Sequence, residues 1–336
     1  MRRLLGVIFI LLSTYISNAQ DTTINWLSFE DVGAKFEKNQ KPILIFAYQK
    51  DDSLSQKMMD ETFSLGEVAN YINVLFYPIK FDVKSNDTIT FFNGNSFPHF
   101  KGQEYHSLAK VLIGDTVSTP ALILFGKNAE GTVYYDFMNR DSLFPLLIYY
   151  AEDIYFTHKL DVWKKYYYAA YPPGQKQIVS RLYIHWLKFD EMLEKQKTEP
   201  RKIFVDIYNE YSVAQTIMRL KVYNDPKLAQ YINTHFYPVT LPLRSDEVFT
   251  FQGKEFKNSN NEAHYHNFAI SALEGKMKFP AFVIFDENQQ LIYRNQFFVT
   301  KEEIEPLLHY YGDDAYKKMK FPEFMKQWKE LKTKTN

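Results

Sequence analysis

The sequence of 336 residues contains no cysteine. Without a thiol there can be no disulfide, no thiolate nucleophile and no zinc–thiolate centre. It also lacks any excess of charge: forty Lys and Arg face forty Asp and Glu, and no block of five or more like charges occurs. A chain with no net field does not draw in a polyanion, so nucleic acid is not an expected partner. Beyond the first twenty residues no apolar run approaches the ~18 residues of a membrane helix. No Gly-x-Ser-x-Gly elbow is present. The eight histidines show no zinc-site spacing: the tightest groupings are His264-x-His266 with Glu262 nearby, and His99 with His106. No metal and no cofactor is expected.

The composition is that of a globular protein, 46% hydrophobic and 24% charged, with 29 Phe and 25 Tyr. Phe-rich cores with Tyr at their margins follow, since tyrosine buries its ring and keeps its hydroxyl wet. The N-terminus reads as a cleavable signal peptide over residues 1–19. Arg2 and Arg3 precede the apolar run Leu4 to Leu12, and Ser17 and Ala19 form a small-residue cleavage site before Gln20. The mature protein is therefore expected in the periplasm or secreted, with no lipid anchor and no membrane span. That compartment permits disulfides, yet without cysteine none can form, so stability must come from burial alone.

A long repeat organises the chain. Ile24-Asn25-Trp26-Leu27 recurs as Ile184-His185-Trp186-Leu187, and Phe76-Tyr77-Pro78 as Phe236-Tyr237-Pro238. Tyr105-His106 recurs as Tyr265-His266, and Pro120-Ala121 as Pro280-Ala281. Each pair lies 160 residues apart. Such a period fits a duplicated domain. Each copy is expected to open with an amphipathic helix around Trp26 to Phe36. A buried central strand follows at Pro42 to Tyr48, then a polar helix. Ser64 with Glu67 reads as a capping box for the next helix, and Thr300 with Glu303 as another in the second copy. A strand at Val74 to Val83, a helix at Gln103 to Ile113, and strands at Ala121 to Phe125 and Thr132 to Met138 come next. A helix from Asp141 to about Tyr155, with Pro145 in its first turn, closes the unit. Early strands joined through helices must pair in parallel, and the last two form a hairpin. The expected fold class is α/β, a mixed sheet with helices on both faces in each copy and a short helical extension after each. The expected domains span 20–155 and 184–316, with a helical linker at 156–183 and a terminal extension at 317–336.

These residues resemble the thioredoxin superfamily, and more narrowly its extended members exported by Bacteroidetes-type bacteria. Lys41 to Tyr48 looks like that family's strand before the redox motif. Phe204-Val205-Asp206-Ile207-Tyr208 is closer still, including the family's buried aspartate at Asp206. Thr119-Pro120 and Phe279-Pro280, each followed by an apolar strand, match the family's cis-proline. The stretches Phe251 to Phe256, Tyr265-His266, Glu274 to Lys276 and Pro306 to Tyr316 resemble the extended group. The resemblance implies two tandem thioredoxin-like domains.

The departure from the family is chemical. Its Cys-x-x-Cys falls on Asp52 and Ser55 in the first copy and on Ser212 and Gln215 in the second. Dithiol exchange needs an activated thiolate and a resolving thiol, so the resemblance carries no redox activity to this chain. Ser55 and Ser212 could act as nucleophiles only beside a base, and no histidine lies near either in sequence; they read instead as helix caps. What the resemblance leaves open is a groove for extended polypeptide beside the prolines. Its rim would be Asp51, Asp52, Ser118 and Thr119 in the first copy, and Tyr211, Ser212, Lys278 and Phe279 in the second. The expected function is non-catalytic: a binding or scaffold protein of the cell envelope that engages another envelope or secreted polypeptide. The alternative is an oxidoreductase-related component whose thiols come from a partner.

Overall fold

The computed structural model describes residues 23–174, 182–259 and 263–335. The signal peptide at 1–19, Gln20, part of the expected linker and Glu262 lie outside the described residues. The chain divides into two compact units between Lys164 and Lys165.

In the first unit, helix α1 (Phe29–Lys38) is opened by Ser28, whose hydroxyl accepts from the Asp31 N–H while the Asp31 carboxylate reaches back. Strand β1 (Ile43–Tyr48) is a continuous apolar run because it is covered on both faces. Helices α2 (Ser53–Met58) and α3 (Gly66–Leu75) carry the chain over to β2 (Tyr77–Asp82), which therefore pairs in parallel with β1, Ile45 opposite Ile79. A small hairpin, β3 (Ile89–Thr90) and β4 (Ser96–Phe97), precedes α4 (Ser107–Ile113). Strands β5 (Ala121–Phe125) and β6 (Gly131–Tyr135) then form an antiparallel hairpin, and β5 lies antiparallel to β1. Helix α5 (Arg140–Ala151) closes the sheet, whose order is β2-β1-β5-β6. One face buries Val32, Ile45, Ile79, Phe81, Leu108 and Ile123 together. Helix α6 (Leu160–Ala170) follows; its fully buried Trp163 donates from Nε1 to the Pro145 carbonyl at 2.8 Å.

The second unit repeats the plan: α7 (Phe189–Thr198), β7 (Lys202–Tyr208), α8 (Val213–Ile217), α9 (Pro226–His235) and β8 (Phe236–Pro242). A hairpin of β9 (Phe249–Phe251) and β10 (Lys254–Phe256) leads to α10 (Asn267–Ala272). Strands β11 (Ala281–Phe285) and β12 (Leu291–Asn295), then α11 (Lys301–Gly312) and α12 (Phe321–Thr335), complete it. The sheet order is β12-β11-β7-β8, with Val205 opposite both Val239 and Val283. Each unit is thus a mixed four-stranded sheet flanked by helices. Together they are two tandem α/β domains of one plan, with the sheet arrangement expected for each copy. No described helix is long and apolar enough to cross a membrane.

Several expected boundaries shift for local reasons. Ser64 caps nothing: it ends a π-helical turn (Met59–Phe63) and its hydroxyl donates to the Asp60 carbonyl at 2.5 Å. Helix α3 starts after Leu65 with no side-chain cap, and Glu67 instead pairs with Arg140 at 2.6 Å. Pro145 is the sixth residue of α5 and lies in its second turn, not the first; Asn139 caps the helix, which starts at Arg140, one residue earlier than expected. That helix also stops at Ala151, where Asp153 turns left-handed (φ 59°) before a short 3-10 turn. The hairpins β3–β4 and β9–β10 were not anticipated.

Candidate functional site

Topology carries three segments of each unit to one place. They are the loop leaving the central strand, the start of the short helix after it, and the loop entering the antiparallel neighbour, whose first residue lies opposite the central strand's end.

In the first unit, Asp52 adopts extended geometry before α2 and caps it. Its Oδ2 accepts from the Ser55 N–H at 2.9 Å and from the Ser55 hydroxyl at 2.5 Å. Ser55 is fully buried, and its hydroxyl is engaged by the same Asp52 carboxylate that caps the helix, so it serves the helix start rather than an open cleft. Asp51 is exposed, and a hydrogen bond from Gln49 at 2.6 Å holds its carboxyl below the ordinary value.

The second unit is built differently. Ser212 caps α8, its hydroxyl accepting from the Gln215 N–H at 3.0 Å. Gln215 turns inward and is fully buried. Its Oε1 accepts from the Asn209 N–H at 3.1 Å. Its Nε2 donates to Asp206 Oδ1 at 2.8 Å, the Ile207 carbonyl at 2.7 Å and the Ala281 carbonyl at 3.3 Å. The amide therefore ties α8 to β7 and to β11 at the residue after Pro280.

Asp206 is also fully buried, and burial pushes its carboxyl above the ordinary range against the opposing pull of Arg219 and Gln215. Its Oδ2 makes no hydrogen bond and faces Arg219 Nη1 at 3.5 Å. Arg219 lies over the rings of Tyr208 (4.3 Å) and Trp186 (5.1 Å) and donates to Thr240 Oγ1 at 3.3 Å. The buried Tyr223 hydroxyl nearby has no hydrogen-bond partner, and burial and Asp206 push its pKa up. At the same repeat positions the first unit has Phe46, Met59 and Phe63. Sequence reasoning reached Asp206 but missed Arg219, Tyr223 and the inward role of Gln215. The signal was available in the repeat, where three apolar residues become polar together.

The peptide bonds Thr119–Pro120 and Phe279–Pro280 are both cis. Both prolines are buried, Thr119 and Phe279 are half-buried, and Ser118 and Lys278 are exposed. Among the described residues, the backbone N–H and C=O of Thr119 and of Phe279 make no hydrogen bond. At the second rim Tyr211 is 56% exposed and stacks on Arg244, whose other neighbours are the Tyr265 ring, Glu210 at 3.3 Å and the Ala263 carbonyl at 3.2 Å. In the first unit Lys84 stands at the corresponding place, over Tyr105 and paired with Glu104 at 3.3 Å.

The paired histidines are structural. His106 and His266 are fully buried caps of α4 and α10; each Nδ1 accepts a backbone N–H, and each Nε2 sits 2.9 Å from a backbone carbonyl, that of Asp87 or Glu247. Both ring nitrogens are thus engaged. His99 lies 6.3 Å from His106, ring to ring. Among the described residues no three His, Asp or Glu side chains converge on a possible metal position. In the first unit a cleft of about 330 Å³ lies between the start of α1 and β2, lined by Leu27, Tyr48, Lys80, Asp82 and Asp87.

No protein-family model and no curated protein matches this sequence. Among solved structures, it is similar to a DsbH oxidoreductase at 15% identity over 40% of this chain and 90% of that one, with a TM-score of 0.28. A thioredoxin-fold protein from Helicobacter pylori is similar at 15% identity over 44% and 89%, with a TM-score of 0.31. Full-length ERdj5 is similar at 10% identity over 89% of this chain and 34% of that one, with a TM-score of 0.28. Likenesses this distant bear on neither activity nor partner.

Proposed function

We propose that this chain is a non-catalytic binding or scaffold protein of the cell envelope that engages another polypeptide at its cis-proline faces. With no cysteine it cannot by itself carry out thiol–disulfide exchange. The observation that carries the reading is the backbone ahead of Pro120 and Pro280. Each segment holds a donor and an acceptor with no partner in the described chain, at the rim of a loop that has lost its thiols. An extended chain laid there would satisfy both groups by strand addition, with side-chain contacts from the rim adding selectivity. The N-terminal signal segment supports an exported location.

Cross-linking capture from the native envelope fraction tests the reading, with wild type beside a variant carrying Thr119→Asp and Phe279→Asp. A discrete polypeptide captured by wild type and lost by the variant is the expected result. Equal capture by both proteins would remove the function from these faces.

A further inference from the structure

The two proline faces have the same backbone and opposite unpaired charge. Around the first, Asp51, Asp115 and Asp136 are exposed, and none is in an ion pair among the described residues. Asp136 is held against the site by its N–H, which donates to the Pro120 carbonyl at 3.1 Å. In the second unit Asp51 and Asp115 become Tyr211 and Gly275, and Phe297 takes the sheet position of Asp136, because a bulge shifts the register of β12 by one residue. Thr116 and Ser118, just ahead of the first proline, become Lys276 and Lys278. Both lysines are exposed and neither is in an ion pair among the described residues. Their loop is held in place by backbone, since the Lys278 N–H donates to the Lys276 carbonyl at 3.0 Å and that carbonyl also receives the Gln296 amide. Two exchanges run the other way, Lys50 to Glu210 and Gly114 to Glu274. They leave little free charge, because Lys50 faces Asp82 at 3.5 Å, Glu210 faces Arg244 at 3.3 Å and Glu274 faces Arg294 at 2.9 Å.

We propose that the second proline face takes an acidic stretch of extended polypeptide and that the first rejects it. The inference rests on the reading that these faces bind polypeptide, and it names the chemistry of what is bound. Unpaired lysines at the rim attract carboxylates, and unpaired aspartates repel them. The exposed Tyr211 ring and the half-buried Phe279 supply apolar contact between the charges. The choice of polypeptide over nucleic acid follows from the unpaired amide and carbonyl at Phe279, which match a peptide backbone. Two lysines on a chain of zero net charge also make a poor phosphate track.

Fluorescence anisotropy with the full chain tests this. The probes are short labelled peptides of alternating Val and Thr carrying several Glu, several Lys or neither, and an oligothymidylate of matched charge. The acidic peptide should bind tightest, about tenfold above the basic one at low salt, with the preference shrinking as salt is added. Lys276→Glu with Lys278→Glu should abolish that preference, and Phe279→Asp should abolish acidic-peptide binding. Binding that needs Phe279 but ignores peptide charge would overturn the inference and leave the polypeptide reading standing. No binding of any peptide would overturn the reading itself. Oligothymidylate binding as tightly as the acidic peptide would overturn the choice of partner.

Discussion

Ser55 and Gln215 stand at the same position of the repeat and are built in unequally, and the difference sets how each residue will respond to mutation. Ser55 is a buried hydroxyl bonded to the cap that already holds its own N–H. Gln215 is a buried amide on which a carboxylate and two backbone carbonyls depend. Gln215→Ala should therefore cost about 3 kcal/mol, since those acceptors lose their donor where water cannot replace it. Ser55→Ala should cost about 1 kcal/mol or less. Hydrogen exchange resolved to β7 and β11 for the first variant and to β1 and β5 for the second would show the contrast. The buried acid and imidazole set opposite pH responses. The folded state holds the Asp206 proton at pH values where the unfolded chain has lost it, so this group's contribution falls as pH rises from about 3.8 through the raised value. His266 is held below its ordinary 6.5 by burial, so its contribution falls as pH drops from there through the lowered value. Urea titrations across pH should show Asp206→Asn flattening the first slope and His266→Asn, which retains a capping acceptor, flattening the second. The buried acid was legible from the residues around it. The role of Gln215 was not, because a position read as a missing thiol hides what its replacement touches.

Helix ends show where local sequence suffices and where it does not. Thr300 and Glu303 form the reciprocal cap that their spacing implies, with the Thr300 N–H on Glu303 Oε2 at 2.8 Å. Ser64 and Glu67 have the same spacing and form none, because the preceding helix runs on into a π turn that absorbs Ser64. Thr300→Ala should accordingly cost about 1 kcal/mol and Ser64→Ala only a few tenths, read as midpoint shifts in urea unfolding. If the two costs were equal, the π turn would not be consuming the Ser64 hydroxyl. The hairpins β3–β4 and β9–β10 escaped detection for a different reason. Strands of two or three residues complete no alternation, so no periodic signal exists to find.

Over the whole chain, the repeat made the architecture legible, because its spacing of strands and prolines, constant until a one-residue shift before the closing helix, imposes the same sheet twice. It also shows how one plan holds two different interiors. On the central strand the first unit places Leu44 and Phe46 where the second places Phe204 and Asp206, so the aromatic ring has moved two residues along the same face. Phe46 packs on Phe63 at 4.9 Å, and Phe204 packs on Tyr223 at 5.4 Å. The carboxylate then occupies the space the ring left, with Gln215 and Arg219 around it. These positions should therefore exchange only as a set. Phe46→Asp alone buries a carboxylate against the rings of Trp26 and Phe63, without the amide and guanidinium that serve Asp206, and should cost the first unit about 4 kcal/mol or more. Adding Leu44→Phe, Ser55→Gln, Met59→Arg and Phe63→Tyr supplies the displaced ring, the amide and the guanidinium, and should recover at least half of that loss. Hydrogen exchange across β1 in the single and combined variants decides the matter. A combined variant no more protected than Phe46→Asp would mean that the polar interior depends on features of the second unit beyond these five positions.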